Sequence, residues 1–578
     1  MFKLLKKLDF TSILIFLICL VLIVLQVKCD IQLPKYTGRI VGLIQEGAKI
    51  SAIWQVGLKM LIVSVISVFS TILLGFLATL ISNKLARNVR RDIFKKVSNF
   101  SAEEVNKFSV ASLITRTSND TEQVRSVLFM LIRSSISAPL LALVAIKEIL
   151  NKNLTLTLVT AIAILIIFVL IILATIFVIP KFKTQQKLTD ELNLFSRETL
   201  NGVRVIRAYN AEGIMEEKFE NVNKKLRKTN LFVNITTSLL MPTMQLLISG
   251  LTLAIVWIGA YLTNSGTLLF EDITIFTQYS TQILVSFMTL SMMLVFIPRG
   301  FVSAKRINEV LESENLILEP EVASEKINDN VSLEFKNLSF KYPDADECLL
   351  ENISFNVNTG ETLAVIGSTG SGKSTLINLI TRFYDATSGE VLINGENIKN
   401  YKLSTLYNKI GLVPQKANLF TGTIKENLLV GNPHASDEDI VKALKTSMSY
   451  DFVFNFEENI NYKLLKGGKN LSGGQKQRLC IARALLKKPK IMIMDDSTSA
   501  VDTATDASIR SGLKTLAKGM TTIIIAQRLT SVQDCDQIVV LDDGKIDAVG
   551  THQQLMESCS IYQEAYRSQQ KGTVEGGE

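Results

Sequence analysis

Six long apolar runs constrain this chain more than any other feature. They cover residues 10–27, 53–81, 127–150, 154–179, 237–262 and 273–298. A hydrocarbon core about 30 Å thick is crossed by roughly 18–20 helical residues, so each run is of spanning length. Backbone polar groups in hydrocarbon must be satisfied within their own segment, which predicts six membrane helices. Composition points the same way. Only 20% of residues are charged and 47% are hydrophobic, against roughly 25% charged in soluble domains. The first run follows Lys3, Lys6 and Lys7 and so has the outline of a signal peptide. It is long for that role, no small-x-small cleavage site follows, and Lys28 before Cys29 does not suit a lipoprotein site. A retained helix is expected.

Six crossings put both ends on one side, and basic residues select that side. Residues 84–125 carry Arg87, Arg90, Arg91, Lys95 and Lys96, and residues 181–234 carry Lys181, Lys187, Arg204, Arg207, Lys224 and Arg227. The opposite connections, 151–153 and 263–272, are short, and 28–49 reads as a moderate loop. The N-terminus and both long loops are therefore predicted to be cytoplasmic. The loops hold few Pro or Gly and should extend the membrane helices into the cytoplasm. The net charge of +8 fits cytoplasmic loops better than a nucleic-acid footprint. Six Cys with no CxxC pair, and only His434 and His552, argue against a disulfide framework or a Cys/His metal site.

The pattern changes after residue 298. Residues 299–319 read as a helix leaving the membrane, and 319–330, with Pro320, as a polar linker. Residues 331–568 alternate short β-rich runs with helices, the pattern of an α/β domain, and 569–578 form a polar tail. Strands are expected at 331–335, 362–366, 491–494, 521–525 and 537–541.

The run at 362–366 leads into Gly367, Ser368, Thr369, Gly370, Ser371, Gly372, Lys373, Ser374 and Thr375, then into an apolar helical pattern. This is G-x-x-x-x-G-K-S between strand and helix, a phosphate-binding P-loop. Its glycines let backbone N–H groups converge on phosphate at a helix N-terminus. Lys373 would neutralise the β and γ phosphates, and the Ser374 hydroxyl would ligate Mg²⁺. A second apolar strand, 491–494, ends in Asp495 and Asp496. Asp495 is placed to hold the Mg²⁺ shell.

Between these motifs stand Leu471, Ser472, Gly473, Gly474 and Gln475, followed by Lys476, Gln477 and Arg478. P-loop, then Gln415 in VPQ, then LSGGQ, then MDDSTSAVD is the motif order of ATP-binding cassette (ABC) domains. With six apolar spans before it, the chain resembles a half-transporter of the ABC exporter family along nearly its whole length. The fold so implied is a membrane α-helical bundle followed by an α/β P-loop cassette. The resemblance implies ATP and Mg²⁺ as ligands. It gives Tyr342 the role of stacking on adenine and Gln415 that of sensing Mg²⁺. LSGGQ would cap an ATP held by a second subunit, and the loop 499–502, ending in Asp502, would cross to that subunit. Ser112 to Asp120 resembles the stretch after the first coupling helix, and Asn201 to Ala208 its counterpart in the second long loop. One chain carries one cassette, so it must pair.

The sequence departs from the family at two places. The residue after the Mg²⁺-shell Asp is Glu in the family and Asp496 here, one methylene shorter. Its carboxylate falls roughly 1–1.5 Å short of the attacking water, and errors of ~1 Å can cost ~10²-fold. The switch His of the family is Gln527 here. Both losses fall on the site built on this chain's own P-loop, whereas LSGGQ is intact. That pattern resembles the degenerate-site subunit of heterodimeric bacterial exporters, whose partner carries the competent Glu and His. A homodimer with weak hydrolysis, or an ATP-gated channel or regulatory subunit, is the alternative. Lys466 stands where many exporters carry an acidic residue.

The sixth run places Gln278, Gln282, Ser286, Thr289 and Met293 on one helical face. This stripe either lines a substrate cavity or packs against neighbouring helices. No acidic residue is expected mid-membrane, and Arg133, near the cytoplasmic end of the third run, reads as a snorkelling side chain. No peptidase region precedes the first span, which disfavours a self-processing peptide exporter. The substrate class stays open among drugs, lipids, peptides and siderophore-like compounds. The Ile-, Lys- and Asn-rich usage fits a bacterial plasma membrane.

Overall fold

The computed structural model describes the chain except residues 321–323, 329, 344, 498–500, 517–518 and 575–578. Contacts divide it into two units, Met1–Ser98 with Val110–Ser313, and Asn99–Ser109 with Glu314–Glu578.

The first unit is built from six long helices: α1 (Phe10–Gln45), α2 (Ile50–Val97), α3 (Val110–Leu150), α4 (Leu154–Asn201), α5 (Glu212–Asn264) and α6 (Phe270–Leu311). Among the described residues, five are long and apolar enough to cross a membrane, and α4 carries the apolar stretch Leu154–Leu170. The predicted helical extensions are present. α2 continues to Val97, α4 to Asn201, and α5 starts at Glu212.

Three expectations are corrected here. The loop expected at 28–49 is helix as far as Gln45. Two of the charges that suggested an end have partners: Asp30 accepts from the Ser67 hydroxyl at 2.6 Å, and Lys35 pairs with Glu148 at 2.8 Å. An acidic residue therefore does lie within a spanning helix. The helix expected through 319 stops at Leu311. α3 is not one regular helix, because π-helical turns occupy Arg116–Asp120 and Leu131–Ser135. Each adds a residue to the turn and re-aims the side chains beyond it. The first is fixed by the buried Asp120, which accepts from Ser303 at 2.9 Å and pairs with Arg306 at 3.2 Å, both on α6.

Small residues let the helix backbones approach. A Cβ at Gly300 of α6 would run into Val127 of α3, and one at Gly259 of α5 into Ile273 of α6.

In the second unit the strands are β1 (Leu333–Phe340), β2 (Leu350–Val357), β3 (Thr362–Gly367), β4 (Ser388–Ile393), β5 (Glu396–Asn397) and β6 (Ile410–Val413). They continue with β7 (Gly422–Thr423), β8 (Lys463–Leu464), β9 (Ile491–Asp495), β10 (Thr521–Ile525), β11 (Gln537–Asp542) and β12 (Lys545–Gly550). One sheet has the order β12-β11-β3-β10-β9-β6, parallel except for the β11–β12 hairpin. A second, antiparallel sheet has the order β2-β1-β4-β5. The central parallel strands are buried nearly throughout, as both-face burial demands. The helices that matter for the site are α7 (Lys373–Ile380), α8 (Gly473–Leu486), α9 (Thr503–Leu516) and α10 (Ser560–Val574).

Two edges of this unit differ from expectation. The linker segment packs on the unit: Ile327 is buried and Ser324 bridges to Tyr401. The tail expected from 569 is helical to Val574, and Gln569 makes specific hydrogen bonds. The unit also includes the short helix Ala102–Phe108, where Asn106 donates to the Tyr384 hydroxyl at 3.4 Å.

Candidate nucleotide site

A parallel sheet binds ligands beyond the carboxyl ends of its strands. Four neighbouring strands deliver the predicted residues to that edge. β3 ends in the P-loop, β10 in Gln527, β9 in Asp495 and Asp496, and β6 leads to Gln415. Residues drawn from 160 positions of sequence become neighbours because β10 lies between β3 and β9, and β9 next to β6.

Gly370 has φ 93° and Gly372 φ 97°, left-handed values that cost side-chain-bearing residues strain. A Cβ at Gly372 would also meet the Leu350 side chain. Ser368, Thr369 and Ser371 fill the turn, and Gly372 caps α7, whose first residues are Lys373, Ser374 and Thr375. Lys373 Nζ lies within the loop, donating to the Gly367 and Ser368 carbonyls at 2.9 and 2.6 Å. Burial holds its ammonium pKa below the ordinary value, opposed by Asp496 and Asp495. The Ser374 hydroxyl donates to Asp495 at 3.4 Å. Burial pushes the Asp495 carboxyl up, and the Ser374 hydrogen bond opposes it. A hydroxyl and a carboxylate this close are a suitable protein contribution to Mg²⁺, whose remaining ligands are usually water and phosphate oxygens. The residues present therefore fit the ion.

Asp496 sits at φ 44°, a conformation Asp tolerates better than most residues. It is buried, its N–H donates to the Ile525 carbonyl at 2.9 Å, and Gln415 Nε2 donates to its carboxylate at 3.4 Å. Gln527 is exposed. Its carbonyl accepts from Gln569 Nε2 at 2.8 Å, and Gln569 Oε1 accepts from the Leu529 N–H at 2.8 Å. One glutamine of α10 thus clamps the segment after β10 from both sides. Sequence reading missed this residue, because nothing local marks a glutamine 42 positions away.

Tyr342 is half-buried, with its hydroxyl 3.0 Å from that of Thr375 and its ring edge-on to Tyr384 at 5.3 Å. Asn106, Tyr384, Tyr342 and Thr375 form a continuous row from the short helix to the P-loop.

LSGGQ has a local explanation. Leu471 is buried, and Ser472 caps α8 by accepting from the Gln475 N–H at 3.2 Å. Gln475 reciprocates, accepting from the Ser472 N–H at 2.9 Å. This capping box leaves Gly473 and Gly474 as the open first turn of a helix with a free N-terminal dipole. Asp502 accepts from the Thr505 N–H at 2.9 Å at the start of α9, and that hydrogen bond holds its carboxyl below the ordinary range. Ser499 and Ala500, the start of the predicted crossing loop, lie outside the described residues.

The stripe on α6 divides. Ser286 and Thr289 line a cavity within the membrane unit. Gln282 donates to the Asp30 carbonyl at 3.2 Å, and Met293 is buried with its sulfur 3.1 Å from the Ser135 hydroxyl. Those two pack against α1 and α3. Gln278 is half-buried.

A spanning helical unit joined to a P-loop unit with an LSGGQ helix defines an ABC transporter half. The profile of the ABC transporter transmembrane region matches residues 16–307, and that of the ABC transporter itself matches residues 350–499. The chain belongs to the ABC transporter family, in the exporter layout that fuses both regions in one chain. It is 33% identical over 558 residues to the uncharacterized ABC transporter ATP-binding protein YfiB of Bacillus subtilis, covering 96% of each chain. It is 31% identical over 506 residues to the ATP-dependent lipid A-core flippase of Haemophilus influenzae, covering 85% of this chain and 84% of the flippase. The solved structure of a bacterial Atm1-family ABC exporter with ATP bound shares the fold, with a TM-score of 0.79 at 24% identity. It covers 97% of this chain and 99% of that one. Membership carries with it ATP binding and ATP-driven transport across a lipid bilayer.

Proposed function

We propose that this chain is one half of a heterodimeric exporter in a bacterial plasma membrane, with its cassette on the cytoplasmic side. The P-loop, with Tyr342 on adenine and Ser374, Gln415 and Asp495 around Mg²⁺, holds one ATP that turns over slowly. Mg²⁺ supplies charge neutralisation for the phosphates there. Leu471, Ser472, Gly473, Gly474, Gln475 and Asp502 complete a second site on the partner's P-loop, where hydrolysis drives the cycle. The carrying observation is that both departures, Asp496 and Gln527, end adjacent strands at this chain's own P-loop, whereas the LSGGQ capping box is whole.

The transport we assign is export of a small molecule, drug, lipid or peptide, and the cavity lined by Ser286 and Thr289 of α6 supports it. The flippase among the relatives favours an amphiphile. No nucleic acid is expected as a ligand.

The test is affinity purification from the native membrane, then phosphate release by the complex. A partner with Glu after its Mg²⁺-shell Asp and His at the switch is expected. Replacing that Glu by Gln should abolish most hydrolysis, whereas Asp496→Asn should change it little. A stable homodimer, or hydrolysis indifferent to the partner's Glu, would sink the proposal.

A further inference from the structure

The membrane unit contains a cavity of about 230 Å³ between α1, α2, α3 and α6. Its wall carries two opposite charges, Asp30 from α1 and Arg133 from the second π turn of α3, and is also lined by Gln26, Ser134, Ser286 and Thr289. Counted along the helices, Asp30 lies about 22 Å from the end of α1 and Arg133 about 26 Å from the end of α3. The turns after those ends are on the same side of the bundle, so the two charges share one level.

Arg133 is exposed in the single chain and Asp30 half-buried; charges inside a membrane-spanning bundle are expensive and mark ligand paths. These two do not meet each other. Among the described residues no carboxylate lies within 4.0 Å of Arg133, and its guanidinium donates to no protein acceptor; it stands 5.8 Å from the Phe129 ring. Asp30 accepts from Ser67 at 2.6 Å and, at the limit of contact, from Gln26 at 3.5 Å. A carboxylate has about four acceptor sites and a guanidinium five donors, so both retain capacity. The π turn matters here, because it rotates Arg133 out of the register a regular helix would give it. The cavity is smaller than the roughly 300–1,000 Å³ of drug-sized sites, so it accommodates a headgroup rather than a whole ligand.

We propose that this cavity binds the headgroup of a zwitterionic amphiphile, its cationic end on Asp30 and its anionic end on Arg133. The inference rests on the export reading and names the substrate class of that pathway. A cationic or an anionic amphiphile would satisfy one wall and strand the other.

The test is equilibrium binding to the full-length chain in nanodiscs of phosphatidylglycerol, without nucleotide, so that it does not depend on hydrolysis, partner or transport. The probes are dodecylphosphocholine, dodecyltrimethylammonium and dodecyl phosphate, all below micellar concentration. The wild type should prefer the zwitterion by about tenfold over either other probe, the ratio that one charged hydrogen bond gives. Asp30→Asn should move the preference to dodecyl phosphate, and Arg133→Gln to dodecyltrimethylammonium. Arg133→Lys, which keeps the charge, should keep the order. Each order is a ratio within one preparation, so partial misfolding does not alter it. An order unchanged by Asp30→Asn and Arg133→Gln, or a wild type that does not discriminate, overturns the proposal. Repeating the assay in phosphatidylcholine nanodiscs separates sources: loss of probe binding there identifies a bilayer lipid as the occupant, and retention a foreign amphiphile. Failure of this binding pattern alongside partner-dependent ATPase would leave export standing and remove only the substrate class.

Discussion

At the scale of single residues, Asp496 and Gln527 carry the slow turnover proposed for the P-loop. Asp496 has its carboxylate against the Gln415 amide and its backbone at positive φ. Replacement by Glu lengthens the reach toward water, at a small conformational cost because Asp accepts that backbone more readily. Asp496→Glu with Gln527→His should raise phosphate release at this site by about 10²-fold. Single-turnover assays with the partner's site disabled would measure it, and a rate unchanged within error would argue that geometry beyond these residues is lost. The ATP motifs were legible because each is a local pattern with a local cause: glycine conformations in the P-loop, a capping box in LSGGQ. Asp30 was not legible as intramembrane, since the apolar run ends before it and only its hydrogen bond to Ser67 shows why the helix continues. Arg133 was seen, but its register depends on a π turn that periodicity does not reveal.

At the scale of elements, α10 is more than a terminal appendage. Polar composition from residue 569 suggested a loose tail, but Gln569 bonds to both ends of the turn after β10. Removing it leaves the N–H of the buried Leu529 and the Gln527 carbonyl to find other partners, a loss of about 1–3 kcal/mol locally. Gln569→Ala should therefore speed amide exchange at 527–529 while leaving β3 and β9 protected. Equal exchange in mutant and wild type would show the clamp to be dispensable. Four of the five named strands, β3, β9, β10 and β11, were legible to within a residue, because apolar runs between turn residues have few other uses; β1 runs five residues beyond its expected end, and β2, β4 to β8 and β12 were not named. The order β3-β10-β9 was not, since no local signal in one strand specifies its neighbour.

At the scale of the whole molecule, cysteine placement gives a test of the fold. Cys348 is exposed, whereas Cys480 and Cys535 are buried, and burial pushes the Cys535 thiol up to about 12. The thiolate is the reactive form, so a thiol held protonated is inert. Brief maleimide treatment at pH 7.5 should label Cys348 and spare Cys480 and Cys535 until the protein is denatured. Mass spectrometry of the labelled peptides checks this, and early labelling of Cys535 would mean that the β10–β11 region opens. The two-unit organisation was legible from hydropathy alone. The assignment of Asn99–Ser109 to the second unit was not, because that segment sits between basic, helix-forming stretches and is distinguished only by contacts such as Asn106 to Tyr384.

The adjacency of β9 and β10 has a further consequence at the level of heredity. Aspartate and glutamate codons differ only in their third base, and so do those of glutamine and histidine. The family's Glu and His are therefore two point mutations away from Asp496 and Gln527, one at the end of each strand. Neither step needs a change in chain length or in the core beneath the sheet. If the site is the slow one proposed above, a gene copy could cross from nucleotide clamp to engine by base changes alone.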